Sequence, residues 1–272
     1  MTEKRKNRTI HDEEALAQLE IARRERIPAA LVTVIESGGS VPRKPGAKML
    51  VTAEGQWGSI GGGEIERQAI ERARELLVSG GCAEVFERHL TRDLGMCCGG
   101  SMKLFLEPMI PNPELIIFGA GHIGRALCAM AAMAGFDVVV CDGREEWLNG
   151  ERFPDAKRLI LEEPEGAVTS LGIRKDSFAV IVTHEHSIDE ATVKRILRLT
   201  ELPRYIGMIG SRRKRENFVE RLTAAGIERS LIERVHTPVG LNIGALTPEE
   251  IAVSIVAELI AVRRGVVEAR GW

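Results

Sequence analysis

The length and charge of the chain exclude several classes of protein. Its 272 residues suffice for one large domain or two ordinary ones, and a hydrophobic content of 44% is enough for a sizeable core. The 37 basic and 39 acidic side chains give a net charge of −2, which is not the charge balance of a general nucleic-acid binder.

The polar N-terminal residues and the lack of 18 uninterrupted apolar residues argue against a signal peptide and a transmembrane helix. We therefore expect a cytoplasmic protein that binds neither membrane nor nucleic acid. The odd number of cysteines argues against a disulfide framework, and the lack of a Cys-x-x-Cys pair argues against a structural zinc site. The cysteines are Cys82, Cys97, Cys98, Cys128 and Cys141.

The first half of the chain is predicted to be α+β. The runs at 29–40 and 46–55 are β-rich and end in glycine turns, and apolar residues at helical spacing predict a helix over 61–81. Two more strands are predicted at 83–90 and 101–108, joined by the segment "DLGMCCGG". So long and unusual a connection is more typical of a functional site than of a simple reversal.

A proline-rich seam separates this half from the next. Pro108, Pro111 and Pro113 lie within six residues and predict a linker, so we place an α+β domain at 1–110 and a second domain at 111–272. In the second domain, apolar strands alternate with helices. This alternation predicts a parallel sheet covered on both faces, an α/β fold of the Rossmann type.

The last predicted helix has a clear start signal. Thr247 and Glu250 fit a capping box, and Pro248 suits the first helical position.

The segment "GAGHIG" opens the second domain with the dinucleotide-binding fingerprint. Gly119, Gly121 and Gly124 follow an apolar strand and begin a helix, whose free N–H groups suit a phosphate. Asp142 ends the next strand, where an acid can bind a ribose hydroxyl and favours NAD; Arg144 nearby suits the 2′-phosphate of NADP instead. A Rossmann scaffold that has lost or exchanged its ligand is the alternative.

Two other polar segments are predicted at the carboxyl edge of the sheet. His184, His186 and Asp189 follow a strand, where ligands of such folds bind; a polar strand end with Asp189 as a helix cap is the alternative. Ser211 and Arg212 lie at the start of a predicted helix whose first turn is basic. Positive charges at a helix N-terminus are unfavourable because of the helix dipole, unless an anion binds nearby. A solvated basic face with Ser211 as the N-cap explains the same residues.

The sequence resembles the XdhC/CoxI family of xanthine dehydrogenase accessory proteins over about residues 12–262. Seven motifs occur in the family's order: "GSVPRKPGAKMLV", "GSIGGGEIE", "GMCCGG", "FGAGHIGRAL", "THEHSID", "YIGMIGSRRK" and "PVGLNIGALTPEEIAVSI".

The resemblance implies a chaperone that binds the molybdenum cofactor (molybdopterin), assists its sulfuration and inserts it into a molybdenum hydroxylase such as xanthine dehydrogenase. Such a protein is a maturation chaperone and not a classical enzyme. A cysteine desulfurase and a second copy of the chain, giving a dimer, are the other implied partners. The family's G-M-x-C-G-G motif assigns its cysteine to Cys98, whereas Cys97 fills the variable position and its role stays open.

The chemistry of the residues agrees with this implied role. A thiolate is a soft ligand and a nucleophile, and bare glycine N–H groups stabilise an anion; a hairpin with buried thiols is the alternative. The candidate cofactor-binding residues are Arg43, Gly61, Gly62, Gly63, Gly99, Gly100, Gly119, Gly121, His122, Ile123, Gly124, Asp142, His184, His186, Ser211 and Arg212.

Two other functions fit the fingerprint. One is an NAD(P)-dependent oxidoreductase, with His122, His184 and His186 as the candidate acid–base groups. The other is a nucleotide-sensing regulator, which the acidic net charge disfavours.

Overall fold

The structure is a computed structural model that describes residues 10–89 and 100–266, without the side chains of residues 212–214. The chain divides into two compact units, Met1–Pro111 and Asn112–Trp272. No helix among the described residues has the length and apolar character needed to span a membrane.

The first unit is a five-stranded antiparallel sheet with a helix against each face. Its strand order is β3-β2-β1-β5-β4. The elements are α1 (Ile10–Glu25), β1 (Ala29–Gly38), β2 (Lys48–Thr52), β3 (Gln56–Gly58), α2 (Gly63–Ser79), β4 (Glu84–His89) and β5 (Ser101–Met109).

The alternation of side chains along β1 explains why both faces of this sheet are covered. Ala30, Val32 and Val34 point to one face and pack in a core with α2. Leu31 lies on the opposite face, in a smaller apolar cluster that includes Ala15 of α1. The α+β prediction for this half is therefore confirmed.

One proline departs from the predicted linker. Pro108 lies inside β5 and pairs with Ala30 of β1. On the other side of β5, pairing with β4 extends only as far as Leu106. Among the described residues, none pairs with Pro108 on that side, and a proline is tolerated in a strand that has such an edge.

The second unit is a six-stranded parallel sheet with the order β11-β10-β9-β6-β7-β8. This confirms the predicted α/β Rossmann-type fold. The elements are β6 (Glu114–Phe118), α3 (His122–Met133), β7 (Asp137–Asp142), β8 (Arg158–Leu161), α4 (Pro164–Ser170), β9 (Phe178–Ile181), α5 (His186–Ile196), β10 (Tyr205–Met208), α6 (Arg212–Ala224), α7 (Arg229–Ile232), β11 (Val235–His236) and α8 (Pro248–Arg264).

The central strands of this sheet are apolar on both faces because helices cover both. One core packs α3 and α8 against one face, and another packs α4 to α7 against the other. The predicted start of α8 is confirmed: Thr247 accepts a hydrogen bond from the Glu250 N–H, Glu250 accepts one from the Thr247 N–H, and Pro248 is the first helical residue.

Candidate functional site

The crevice between β6 and β9 lies where the strand order of the parallel sheet reverses. From β6 the chain proceeds to β7 on one side, whereas β9 lies on the other side. The Val182 N–H donates to the Phe118 carbonyl (2.8 Å), and the Gly119 N–H donates to the Cys141 carbonyl (2.8 Å). Ligands of open α/β sheets bind at such a switch point, outside the carboxyl ends of the strands.

The three fingerprint glycines have different surroundings in this crevice. Gly119 has φ +121°, and a Cβ there would lie 2.5 Å from the Val182 carbonyl oxygen. A Cβ on Gly124 would lie 1.9 Å from the Gly119 carbonyl oxygen. Gly121 is the N-cap of α3 and has no atom within 4 Å of such a Cβ. Gly119 and Gly124 therefore serve packing, whereas Gly121 leaves open space at the helix N-terminus.

Asp142 ties the end of β7 to the glycine loop. Its Oδ2 accepts from the Ala120 N–H (2.7 Å), and both its oxygens accept from the Arg144 guanidinium (2.8 Å each). Burial opposes ionisation of this carboxyl, but the hydrogen bonds from Arg144 and Ala120 hold its pKa below the ordinary value. A ribose hydroxyl would have to compete with these partners for the carboxylate.

Trp147 and Arg152, which sequence reasoning missed, form a group with the predicted residues His122 and Arg144. The ring of Trp147 lies 5.7 Å from the His122 ring between centroids, and the guanidinium carbons of Arg144 and Arg152 lie 5.2 and 4.8 Å from its ring. Arg152 also donates to the Trp147 carbonyl (3.1 Å). Basic groups thus gather near the N-terminus of α3, which favours an anion there.

The segment "THEHSID" lies at the same edge of the sheet. Asp189 is buried and accepts from the Thr183 N–H (3.1 Å), the Thr183 hydroxyl (2.6 Å) and His186 Nδ1 (3.2 Å). Asp189 therefore links the end of β9 to the first turn of α5. It is not the N-cap of this helix, which is Glu185. His184 is exposed, and His186 is 55% exposed, so both imidazoles face solvent at this edge.

The segment after β10 reaches the same edge. Ser211 is exposed, and its carbonyl accepts from the Arg215 N–H (3.0 Å). Arg212 is the first residue of α6, and its side chain lies outside the described part of the structure. Ile123 lies in the first turn of α3 and packs partly buried against the core beneath it.

A buried polar network beside this edge was also missed by sequence reasoning. Glu258 of α8 is fully buried, and its Oε2 accepts from the Tyr205 hydroxyl (2.7 Å) and the Gly240 N–H (2.6 Å). His236 Nδ1 lies 2.5 Å from its Oε1. Burial opposes ionisation of Glu258, but the hydrogen bonds from His236 and Tyr205 hold its pKa below the ordinary value.

In the first unit, three glycine-rich segments meet. A Cβ on Gly61 would lie 2.4 Å from Pro42, and a Cβ on Gly100 would lie 2.5 and 2.7 Å from the carbonyl oxygens of Gly38 and Ser40. The segment "GSVPRKPG" is thus in direct contact with the turn "GSIGGGE" and with the end of the "GMCCGG" motif. This close backbone approach requires glycine at Gly61 and Gly100.

The turn at residues 61–63, whose bare N–H groups are predicted to stabilise an anionic ligand, already holds a carboxylate. Oε2 of Glu66 accepts from the N–H groups of Ile60 (3.0 Å) and Gly62 (2.9 Å) and from the Ser59 hydroxyl (2.6 Å). Gly62 is the N-cap of α2 and Gly63 its first residue. Some of the N–H groups expected to bind an anionic ligand are therefore already bound to the Glu66 carboxylate.

Arg43 also has an internal partner. Its Nη2 donates to Oδ1 of Asp12 (2.9 Å), which is buried on α1 and also accepts from the Lys48 N–H (2.9 Å). Arg43 therefore lies at the junction of the glycine segments with its charge balanced by an acid.

Three predicted site residues, Cys97, Cys98 and Gly99, lie outside the described residues. The other cysteines divide by exposure: Cys82 is exposed, whereas Cys128 and Cys141 are buried. Burial raises the pKa of each of these two thiols to about 12. Among residues 10–89 and 100–266, no group of three or more His, Cys, Asp and Glu side chains is arranged to hold a metal ion.

Comparison with known proteins gives matches in both units. The family model described as the XdhC Rossmann domain matches residues 115–259, and that of the XdhC and CoxI family matches residues 22–88. An uncharacterised protein of Escherichia coli, YqeB, is 38% identical over 88% of this chain and 44% of its own length.

Two further curated relatives have functional names. A protein of Bacillus subtilis, named as a probable subunit of xanthine dehydrogenase, is 36% identical over 60% of this chain and 47% of its own. The molybdenum cofactor insertion chaperone PaoD of Escherichia coli is 24% identical over 86% of this chain and 83% of its own. The chain thus spans less than half the length of YqeB and of the Bacillus subtilis protein.

One solved structure resembles the chain along nearly its whole length. It is described as a xanthine dehydrogenase from Bacillus halodurans and has a TM-score of 0.53 at 25% identity. The match covers 94% of this chain and 97% of that one.

Proposed function

Because this chain belongs to the XdhC and CoxI family, we propose that it serves molybdenum cofactor maturation and binds the cofactor as its cargo. The name of the relative PaoD, a molybdenum cofactor insertion chaperone, supports this role. In finer detail, we propose that the chain assists sulfuration of the cofactor and its insertion into a xanthine dehydrogenase-type hydroxylase.

The observation that carries the proposal is the meeting of glycine segments in the first unit. Gly100, which ends the thiol motif, packs against Gly38 and Ser40, and Gly61 packs against Pro42. The thiol motif therefore ends at a junction of bare backbone, where a ligand beside the thiol would meet main chain in place of bulky side chains. The cofactor carries sulfur and a metal, so it suits a site that offers a thiol with little steric obstruction.

In this proposal, Cys98 supplies the sulfur contact. A thiolate is the form of cysteine that binds soft metals and attacks sulfur, and N–H groups of neighbouring glycines stabilise its negative charge. Cys128 and Cys141 do not compete for this role because burial keeps their thiols protonated at neutral pH.

The second unit has a phosphate-binding geometry of its own at the start of α3. Gly121 has open space around it, α3 has no side-chain cap there, and Arg152 and His122 add basic groups beside Trp147. A phosphate suits such a helix N-terminus.

An NAD(P)-dependent oxidoreductase is the alternative that shares this phosphate site. The Asp142 carboxylate is already bound by Arg144 and the Ala120 N–H, which disfavours its use on a ribose hydroxyl. Titration of the chain with NAD and with NADP, followed by fluorescence, tests this alternative. Tight binding together with hydride transfer to a substrate would replace the cofactor proposal.

Retention of the cofactor tests the main proposal. The full chain is mixed with molybdenum cofactor and passed over a desalting column, and the molybdenum and pterin that elute with the protein are measured. We expect Cys98→Ser to lose most of the bound cofactor and Cys128→Ser, the matched buried-thiol control, to retain it. Equal retention by wild type and Cys98→Ser would remove Cys98 from the role, and no retention by wild type would overturn the proposal.

Partners are proposed on the same basis. A molybdenum hydroxylase is expected to receive the cofactor, and a cysteine desulfurase to supply sulfur. The chain itself is expected to form a dimer. Co-purification with each candidate protein and sedimentation of the chain alone test these three expectations.

A further inference from the structure

The strand β4 has a strand partner on one side only among the described residues. It lies at the end of the order β3-β2-β1-β5-β4 and pairs with β5 along its whole length, Glu84–His89. Val85 in this strand is 58% exposed. The backbone N–H and carbonyl groups along the outer side of such an edge strand are a template for pairing with a further strand.

β4 is the longest of the edge strands in the described part of the chain. It has six residues, whereas β3 has three, β8 has four and β11 has two. Each further residue pair adds hydrogen bonds to a ladder, so the outer side of β4 offers an added strand the longest pairing.

The side chains of β4 are arranged symmetrically about Phe86. Glu84 precedes Phe86 by two residues and Arg88 follows it by two, so all three point to the face of the sheet that α2 covers. Phe86 packs in the core with α2, and the Arg88 guanidinium carbon lies 4.0 Å from the centre of its ring. One face of this edge therefore presents an acid, an aromatic ring and a base in that order.

A second copy of the same strand is complementary to this order. In an antiparallel pair centred on Phe86, the ring lies opposite its own copy, and each Glu84 lies opposite Arg88 of the other copy. Opposite charges and aromatic rings that face each other across such a pair are stabilising. A pair centred on Glu87 would instead set two carboxylates against each other, so the charges select the register centred on Phe86.

We propose that β4 pairs with β4 of a second copy in this register, which joins the two five-stranded sheets into one continuous sheet. The inference gives the expected dimer its interface and does not depend on the cofactor role. Charges on an edge strand normally prevent pairing with foreign strands. Here the same charges favour a second copy over a strand without the matching pattern.

The internal partners of the two charged residues are compatible with this pairing. Glu84 accepts from Nε and Nη2 of Arg72 on α2 (2.6 and 2.7 Å), and a carboxylate has lone pairs for further donors. Arg88 donates through Nε to Gln68 (3.2 Å) and through Nη1 to the Glu87 carbonyl (2.8 Å). Neither of these two hydrogen bonds uses Nη2 of Arg88.

Sedimentation of the full chain over a range of concentrations tests the inference without any cofactor. We expect wild type to form a dimer. Arg88→Glu and Glu84→Lys each set like charges opposite each other twice in the dimer, and each should weaken it at least about tenfold. Leu161→Arg is the matched control, because Leu161 is 55% exposed on the other edge strand β8, and it should leave the dimer unchanged. A monomeric wild type, or a dimer that Leu161→Arg weakens and Arg88→Glu does not, overturns the inference.

A mixture of the two charge variants separates a lost interface from a damaged fold. When Arg88→Glu copies meet Glu84→Lys copies, every introduced charge faces an opposite charge across the strand pair. The mixture should therefore form dimers that neither variant forms alone. If both variants unfold cooperatively like wild type but their mixture stays monomeric, the charge matching fails and the inference with it.

Disulfide trapping tests the register. Val85 lies opposite Glu87 of the other copy in the proposed pair, so Val85→Cys mixed with Glu87→Cys should give a covalent mixed dimer on mild oxidation. Leu161→Cys mixed with Glu87→Cys is the exposed-site control and should not. Peptide mass spectrometry distinguishes this bond from bonds of the native cysteines, and equal trapping in the two mixtures would overturn the register.

The interface and the proposed function can fail separately. If wild type retains no cofactor but forms a dimer that Arg88→Glu dissociates, the interface stands and the proposed function fails. If wild type retains cofactor but sediments as a monomer, the function stands and this inference fails.

Discussion

The imidazole of His236 and the carboxylate of Glu258 form a buried pair, with 2.5 Å between Nδ1 and Oε1 and about 1% exposure of each side chain. The pair joins β11, a strand of two residues, to the last long helix. Tyr205 and the Gly240 N–H complete the hydrogen bonding of the carboxylate. These three hydrogen bonds offset much of the cost of burying the carboxylate.

Glu258→Gln is expected to lower the free energy of unfolding by about 3 kcal/mol or more, because it leaves a buried network incompletely paired. Urea unfolding measures the change. Glu233→Gln is the control, since the Arg229–Glu233 pair is exposed and its loss should cost less than about 1 kcal/mol. Equal effects of the two substitutions would contradict the role assigned to the buried pair.

The same network predicts a dependence of stability on pH. The folded pKa of Glu258 is lower than its ordinary value of about 4.3, so its ionisation stabilises the fold fully above that pH. This contribution is lost as the pH falls through the folded pKa. The difference in unfolding free energy between wild type and Glu258→Gln should therefore stay constant from neutral pH down to about 4.3 and shrink as the pH falls further. A difference that stays constant down to about pH 3 would show that the carboxylate is not held ionised.

The glycine fingerprint predicts opposite outcomes for two similar substitutions. Gly119→Ala should destabilise the chain by more than about 2 kcal/mol, because its φ is +121° and the new Cβ meets the Val182 carbonyl. Gly121→Ala should fold like wild type, because its φ is −70° and the new Cβ meets no atom within 4 Å. If a phosphate binds at this helix start, Gly121→Ala should still weaken cofactor retention. Thermal unfolding and the retention measurement together separate the two effects.

The sequence predicts the fold of the second unit well because its signals are local. A run such as "ELIIF" is apolar on both faces, as a central parallel strand requires, and Thr247 and Glu250 mark the start of α8 within four residues. The prediction that Pro108 belongs to a linker is wrong. A proline is tolerated at this position of β5 because β4 stops pairing before it, and no local sequence pattern reveals where β4 stops.

The candidate site was predictable only in part, for the same reason. The glycines at the start of α3 follow from their spacing, but the partners of a charged residue depend on contacts across the fold. The sequence predicts Glu66 as an ordinary acidic residue of a helix, yet its carboxylate binds the turn before α2. His236 and Glu258 form a pair although they are 22 residues apart in the sequence. Arg144 and Arg152, the basic neighbours of Trp147, lie in an irregular segment whose sequence has no periodic pattern, so their positions beside its ring could not be predicted.

Glu66→Gln tests the internal occupant of the glycine turn. The substitution removes the charge of the carboxylate that accepts hydrogen bonds from the Ile60 and Gly62 N–H groups and the Ser59 hydroxyl. We expect it to lower the free energy of unfolding by about 1–3 kcal/mol. Glu75→Gln on the exposed side of the same helix should cost less than about 1 kcal/mol. Denaturant unfolding measures both, and a Glu66→Gln protein as stable as the control would show that the turn does not depend on this carboxylate.

Thiol labelling distinguishes the buried cysteines from those proposed to act. Cys128 and Cys141 are buried, and burial raises the pKa of both thiols to about 12, so almost none of either is thiolate near pH 8. We expect iodoacetamide to leave both unmodified in the native protein and to modify them in urea, whereas Cys82 is exposed and should react without denaturant. If Cys98 is the working thiolate of the cofactor site, it should react faster than Cys82, and added cofactor should protect it. Peptide mass spectrometry after brief labelling follows each cysteine separately. Labelling of Cys128 or Cys141 in the native protein at the rate of Cys82 would contradict their burial. A Cys98 that reacts no faster than Cys82 would argue against an activated thiolate.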